Sequence, residues 1–249
     1  DYERSLSCWY CNFIYSELPR NWSNTFPQPF PINPIGDVIW ITNPHNPTGQ
    51  LWDKKSLETI LKKYKLVICD EAFLEITPKG EKESLVPLTK KYDNLLVLKS
   101  LTKLFNIPGL RLGYMIGSPK KIRQWNIKRD PWPLNSFAIK AGIDLLSNET
   151  FYKQWTTKIH TWINNEKKWV FDELSKVESL KIHNSSTNFF LIESESSLSP
   201  NINYLEKKGI LIRECASFHF LNEKWARISL QNSKNNKKLC KEIQNSFKK

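Results

Sequence analysis

Three short apolar runs, each closed at its carboxyl end by polar and reactive residues, constrain this chain more than any other feature. Residues 38–42 (VIWIT) lie between Asp37 and Asn43-Pro44. Residues 66–69 (LVIC) end at Asp70-Glu71, and residues 95–98 (LLVL) end at Lys99-Ser100. Such runs are too short for helices, and they are apolar at every position rather than at alternate ones. They read as strands buried on both faces, which is the signature of a parallel sheet. Between the first two, Asp53 opens a helix-like stretch with Leu57, Ile60 and Leu61 at helical spacing. Residues 111–116 (RLGYMI) read as a fourth strand. The expected fold is therefore α/β, a mostly parallel sheet sandwiched by helices.

The second half differs in character. Residues 149–177 are polar, rich in Trp and Lys, and predict one or two helices. Strands are expected at 188–192 (NFFLI), 210–213 (ILIR) and 226–230 (ARISL), with helices at 201–208 and 236–247. This describes a smaller C-terminal α/β domain. The boundary is expected near residue 146, giving a large domain over 1–146 and a small one over 147–249.

Composition closes off several classes. With 249 residues, 40 % hydrophobic and 12 % aromatic, the chain has a globular composition and not that of a disordered one. No run of eighteen apolar residues exists, so no spanning helix is expected. No apolar leader-like stretch opens the chain. It starts at Asp1, and Met115 is its only methionine, so a fragment or processed form is expected. The net charge of +12 raises the possibility of a nucleic-acid partner. Pairs such as Lys62-Lys63, Lys120-Lys121 and Lys237-Lys238 are spread along the whole chain, however. They form no stripe interleaved with aromatics, so a solvated surface is preferred and neither a nucleic-acid nor a membrane partner is expected. The five cysteines, Cys8, Cys11, Cys69, Cys215 and Cys240, are odd in number and irregular in spacing. That suits a reducing cytosol. Cys8 and Cys11 form a single C-x-x-C with no second ligand pair, and the four histidines lack ligand spacing, so no metal is expected.

Open α/β sheets bind ligands outside the carboxyl ends of their strands. After VIWIT comes Asn43-Pro44-His45-Asn46-Pro47-Thr48-Gly49, where two prolines and a turn glycine would hold Asn46 rigidly. After LVIC comes Asp70-Glu71-Ala72-Phe73, a carboxylate at the tip of an apolar strand that should have a cationic partner. After LLVL come Ser100, Thr102, Lys103 and Arg111. Each motif alone admits a plainer explanation: a turn, a capping Asp, a surface Lys. Together, a carboxylate, an amine, two hydroxyls and a guanidinium at sheet tips match the needs of pyridoxal phosphate: a Schiff-base lysine, an acid for the pyridine nitrogen and a phosphate grip.

The ordered set NPHNPTG, CDEAF, SLTKLFNIPGLRLGY and ARISL resembles the fold type I, aminotransferase-like pyridoxal 5'-phosphate enzymes over nearly the whole chain. The resemblance implies a pyridoxal-phosphate-dependent transferase-like large domain. It implies Lys103 as the Schiff-base lysine and Asp70 as the partner of the pyridinium, the two catalytic residues. It implies that Asn46 bonds the cofactor's ring oxygen and that Ser100, Thr102 and Arg111 hold its phosphate. Phe73 stands beside the ring where many aminotransferases have Tyr, so one hydrogen bond to the ring oxygen should be missing. Arg227 corresponds to the substrate-carboxylate arginine.

Within the family, SLTKLFNIPGLRLGY, DPWPLNS and GILIRECASF are similar to the threonine-phosphate decarboxylases of cobalamin synthesis, which make aminopropanol phosphate. These are themselves similar to the histidinol-phosphate aminotransferases. Both substrates are small and phosphorylated. Arg213 and Arg227, on two expected neighbouring strands, could hold a carboxylate and a phosphate together. The plainer reading of Arg213 is a strand-edge salt bridge. The resemblance also implies a homodimer. It places a glycine-rich phosphate loop and an N-terminal arm before Asp1, so these 249 residues alone are expected to be unstable or poorly active, and a truncated inactive remnant stands as an alternative to the working enzyme.

Overall fold

The computed structural model describes residues 25–31 and 35–248. Cys8, Cys11 and the segment Asp1-Tyr2-Glu3-Arg4 lie outside them.

The first sheet is built from β1 (Val38–Thr42), β2 (Leu66–Asp70), β3 (Leu95–Ser100) and β4 (Gly113–Gly117), in that order. β1, β2 and β3 run parallel, with Val38 opposite Leu66 and Val67 opposite Leu95. β4 returns antiparallel, with Ser100 opposite Gly113. The sheet is thus mostly parallel, as expected for α/β. β2 lies inside the sheet, and from Val67 onward every residue of it is buried.

α1 (Lys54–Leu61) covers one face. It starts where the Asp53 side chain accepts from the Ser56 N–H at 2.8 Å, which satisfies a donor left free at the first turn. Leu57, Ile60 and Leu61 pack with Ile39, Ile41, Val67, Cys69, Leu95 and Val97. Each such large side chain contributes about 2 kcal/mol by leaving water.

Arg111 departs from the expectation. It does not begin a strand. Pro108–Leu110 forms a 3-10 turn, and Arg111 closes it in the left-handed region at φ 53°, so β4 starts two residues later.

The second sheet comprises β5 (Leu180–Ile182), β6 (Phe189–Ser194), β7 (Arg213–Glu214) and β8 (Trp225–Ser229). Its spatial order is β5-β6-β8-β7, antiparallel throughout. β5 was not expected. The expected strand over 210–213 contracts to Arg213–Glu214. Its apolar residues Ile210 and Ile212 instead pack against the core beside the sheet.

In chain order, α2 (Leu101–Phe105) follows β3 directly, and α3 (Pro119–Asn126) and α4 (Ser136–Ser147) come between the strands of the first sheet and those of the second. The polar stretch after 149 is one 26-residue helix, α5 (Glu149–Leu174). α6 (Ser199–Lys207) and α7 (Ser233–Ser246) complete the chain. Ile163, Val170 and Leu174 of α5 meet Ile202 and Leu205 of α6, Leu239 and Ile243 of α7, and Phe190, Ile192 and Ile228 of the sheet.

Candidate active site

The loop after β1 is fixed from within. Asn43 is fully buried; its Oδ1 accepts from the Trp52 N–H at 2.8 Å and its Nδ2 donates to the Trp52 carbonyl at 3.1 Å. Asn43–Pro44 and Asn46–Pro47 are both cis. His45 Nδ1 and Thr48 Oγ1 share a hydrogen bond of 2.8 Å, and burial lowers the His45 pKa to about 4, so the ring is neutral at pH 7.

Gly49 has φ 71°, and a Cβ there would stand 2.0 Å from Ser185 Oγ. Its carbonyl accepts from both the N–H (2.8 Å) and the hydroxyl (2.7 Å) of Ser186. The loop is therefore pressed onto the segment leading into β6.

Asn46 is held by this loop, and its Oδ1 accepts from Nη1 of Arg227 on β8. That contact joins the two sheets. The Arg227 guanidinium lies 5.1 Å from the Phe189 ring centroid, and its Nε is buried with no hydrogen-bond partner among the described residues. Burial lowers the pKa of Arg227, with Arg213 adding to the effect. An arginine so placed has unspent capacity for an anion.

Asp70 ends β2 at 7 % exposure. Its Oδ1 accepts from the Ala72 N–H at 2.9 Å. No ion pair forms on it among the described residues, so the expected cationic side chain does not close on it. Burial raises its pKa; the Ala72 N–H and the charge of Lys103 pull the other way.

Lys103 sits on α2, one turn from the end of β3, with its Nζ 5.1 Å from the Phe73 ring centroid. Burial lowers its pKa, then the charges of Arg227 and Arg111, while Asp70 raises it. Both effects enlarge the neutral, nucleophilic fraction of the amine. Ser100 takes the cap position of α2 without its hydroxyl closing on the helix. Thr102 is half-buried on the same turn. Arg111 is exposed and donates from Nη1 to the Pro108 carbonyl at 3.3 Å.

Arg213 pairs directly opposite Arg227 across β7 and β8. Like charges directly opposed in a sheet are destabilising. Arg213 makes no salt bridge among the described residues. Its Nη2 donates to Ser217 Oγ at 2.9 Å, and its guanidinium lies 5.7 Å from the Phe218 ring.

The structure thus gathers Asn46, Asp70, Phe73, Lys103, Arg213 and Arg227; Arg111 is near enough for its charge to act on Lys103, while its Nη1 donates to its own loop. It also adds residues that sequence reasoning missed. Phe189 packs edge-to-face on Phe73 at 5.2 Å while carrying Arg227, so one ring links the lysine side to the arginine side. Its only signal was its place at the head of an apolar strand. The buried carboxylate without a cation and the buried Nε without an acceptor fit a group that is cationic at one end and anionic at another. A substituted pyridinium bound to an amino acid has those properties. Among the described residues, no cluster fit to hold a metal ion is present and no helix is long and apolar enough to cross a membrane.

Comparisons with known proteins bear on the family and the fold. The family model "Aminotransferase class I and II" matches residues 30–243. A protein of Caldanaerobacter subterraneus subsp. tengcongensis, provisionally named a threonine-phosphate decarboxylase, is 33 % identical over 205 residues; the match covers 80 % of this chain and 55 % of that protein. The solved histidinol-phosphate aminotransferase of Clostridium acetobutylicum superposes with a TM-score of 0.78 at 30 % identity, covering 85 % of this chain and 64 % of that one. The L-threonine-O-3-phosphate decarboxylase of Porphyromonas gingivalis gives 0.74 at 26 %, covering 86 % and 65 %. The chain spans about half the length of the curated relatives it matches.

Proposed function

The chain belongs to the class I and II aminotransferase family, whose members are pyridoxal-phosphate-dependent aminotransferases or decarboxylases, and from that premise we propose that it decarboxylates L-threonine O-3-phosphate to aminopropanol phosphate. The single observation that carries this choice is the pair Arg213 and Arg227, opposed across β7 and β8, with Arg227 Nε left without an acceptor. Threonine phosphate carries two anionic groups and histidinol phosphate one. Two arginines on one sheet face fit the former better.

Lys103 is the amine that would take the cofactor as a Schiff base, and Asp70 the carboxylate that would hold its pyridine nitrogen protonated. Asn46 has its Nδ2 for the ring oxygen while its Oδ1 orients Arg227. Ser100, Thr102 and Arg111 would grip the phosphate. When bound, the cofactor supplies an electron sink for the bond broken at the substrate's α carbon. Arg227 and Arg213 orient the substrate by its anionic ends and so choose which bond is presented. Lys103, whose pKa burial lowers, would exchange a proton at the α carbon, giving one where carbon dioxide has left and taking one where the amino group is transferred. Phe73 and Phe189 wall the site without competing for protons.

A histidinol-phosphate-like aminotransferase is the second reading, favoured by the superposition on the Clostridium enzyme. Homodimer assembly, a cytosolic setting, a place in cobalamin synthesis and the division at residue 146 belong to the first reading.

The test supplies pyridoxal phosphate and, in separate reactions, threonine phosphate alone or histidinol phosphate with a keto-acid acceptor. Carbon dioxide and aminopropanol phosphate are expected from the first. An aminated acceptor from the second, with no carbon dioxide from the first, selects the aminotransferase.

A further inference from the structure

Glu71 and Lys99 form a buried ion pair that the chemistry above does not use. Glu71 is fully buried, and its Oε2 lies 2.8 Å from Lys99 Nζ, whose side chain is 9 % exposed. Glu71 also accepts from Ser84 Oγ at 2.8 Å and from the Leu85 N–H at 2.7 Å. A second carboxylate, Glu75, stands 3.9 Å from the same ammonium. Tyr114, opposite Lys99 in register, donates to Glu75 at 3.3 Å. Removing two charges from water costs several kcal/mol per ion, and apolar replacement of such pairs is often neutral or stabilising. Stability alone therefore does not account for this pair.

Its location does. Glu71 follows Asp70 directly, and Lys99 directly precedes Ser100. Side chains alternate between faces along a strand, so the pair lies on one face while Asp70 and Ser100 open on the other. The parallel ladder between β2 and β3 ends with the Glu71 N–H donating to the Leu98 carbonyl at 2.9 Å. Beyond that bond the two segments diverge, one into the Glu71–Leu74 turn and one into α2 with Lys103.

We propose that the Glu71–Lys99 pair is a positioning clamp that ties the tips of β2 and β3 and so sets where Asp70 stands relative to Lys103. It rests on the reading that Asp70 and Lys103 are the working pair. Glu71 and Lys99 touch neither cofactor nor substrate; they are positioning residues.

The experiment reads Lys103 in the cofactor-free chain. Pulse acetylation across pH, quantified by mass spectrometry, gives the midpoint at which its amine becomes reactive. Pyridoxal phosphate affinity is measured separately by tryptophan quenching. Lys99→Arg keeps the charge and should keep both values. The double variant Glu71→Gln/Lys99→Met removes both charges at nearly constant volume. It should remain folded, move the Lys103 midpoint by about 0.5 pH unit and weaken cofactor binding about tenfold. A folded double variant with unchanged midpoint and affinity makes the pair purely structural and overturns the proposal. If that variant does not fold, Glu71→Asp decides: it keeps both charges and withdraws the carboxylate by one methylene, and an unchanged midpoint in a cooperatively melting protein is equally fatal. Failure of the underlying reading looks different. Borohydride reduction of the unaltered chain with pyridoxal phosphate would then leave no adduct on Lys103, while the acetylation midpoint would still report on the clamp.

Discussion

Asp70 ends a strand whose other residues are apolar, and its carboxylate accepts one backbone hydrogen bond, from Ala72. Burial is the largest cause of its raised pKa. In the folded chain the proton is held to higher pH than in the unfolded one, so ionised Asp70 subtracts from stability once pH passes the ordinary value of 3.8. Asp70→Asn keeps the shape and an acceptor for Ala72 while removing the charge. At pH 7 it should melt above the unaltered chain, and the difference should vanish as pH falls to 3.8 and below. Calorimetry at the two pH values checks this; a lower melting point for the variant at pH 7 would show that ionised Asp70 has a partner in the cofactor-free fold. The same variant should bind pyridoxal phosphate at least about tenfold more weakly, since a neutral amide cannot hold the ring nitrogen protonated. Phe73 gives a second test. Phe73→Tyr adds a hydroxyl beside the expected position of the ring oxygen, and one such bond is worth about 1 kcal/mol, or about fivefold in cofactor affinity. No gain by tryptophan quenching would mean that the ring oxygen lies elsewhere.

At the scale of elements, the site depends on a helix, α5, that carries none of its chemistry. α2 is only five residues long, too short to hold its own position. α5 holds it: Trp155 Nε1 donates to the Leu104 carbonyl at 2.8 Å, and its ring stacks on Phe105 at 6.4 Å. Farther along α5, His160 Nε2 lies 2.8 Å from the Glu75 carbonyl, gripping the turn after β2 as well. Trp155→Phe keeps the stack and deletes the N–H. The expected loss is about 1 kcal/mol of stability and a few-fold of cofactor affinity, because Lys103 rides on the released helix. Equal affinity in the folded variant would show that α2 is held by packing alone. These supports were not legible in the sequence. NPHNPTG, DEAF and SLTK could be read because each lies within one stretch of chain, at the end of a run whose burial its own composition reveals. Trp155 and Leu104 meet through tertiary packing, and the Glu71–Lys99 pair appears only once the register of β2 on β3 is known. β5 is three residues long, and two residues of β7 pair, too few for a pattern to show. Arg111 misled for a local reason: the apolar run after it looks like a strand throughout, but Pro108 starts a turn that Arg111 must finish with a positive φ.

For the whole molecule, the site exists only where the two sheets meet. Asn46 follows the first sheet's β1, and Arg227 belongs to the second sheet's β8; their bond joins the residues proposed for the cofactor to those proposed for the substrate. Gly49 is the nearest structural support of that junction, giving its carbonyl to Ser186 and leaving no space for a Cβ beside Ser185. Two costs therefore fall on Gly49→Ala. A left-handed non-glycine residue costs about 1–2 kcal/mol, and the 2.0 Å approach to Ser185 Oγ forces the loop or the segment before β6 to retreat. Together these predict about 2–3 kcal/mol, with the melting point falling by about 5–10 °C for a chain of this size. Because the loop carries Asn46, the same change should also loosen Arg227. Binding of an anionic substrate analogue should weaken more than binding of pyridoxal phosphate, whose proposed contacts, Asp70 and Lys103, lie at the tip of β2 and on the helix that follows β3. Calorimetry and two binding titrations measure all three quantities. If the analogue and the cofactor weaken by the same factor, the junction is a general support of the fold, and the division of labour between the sheets argued here is wrong.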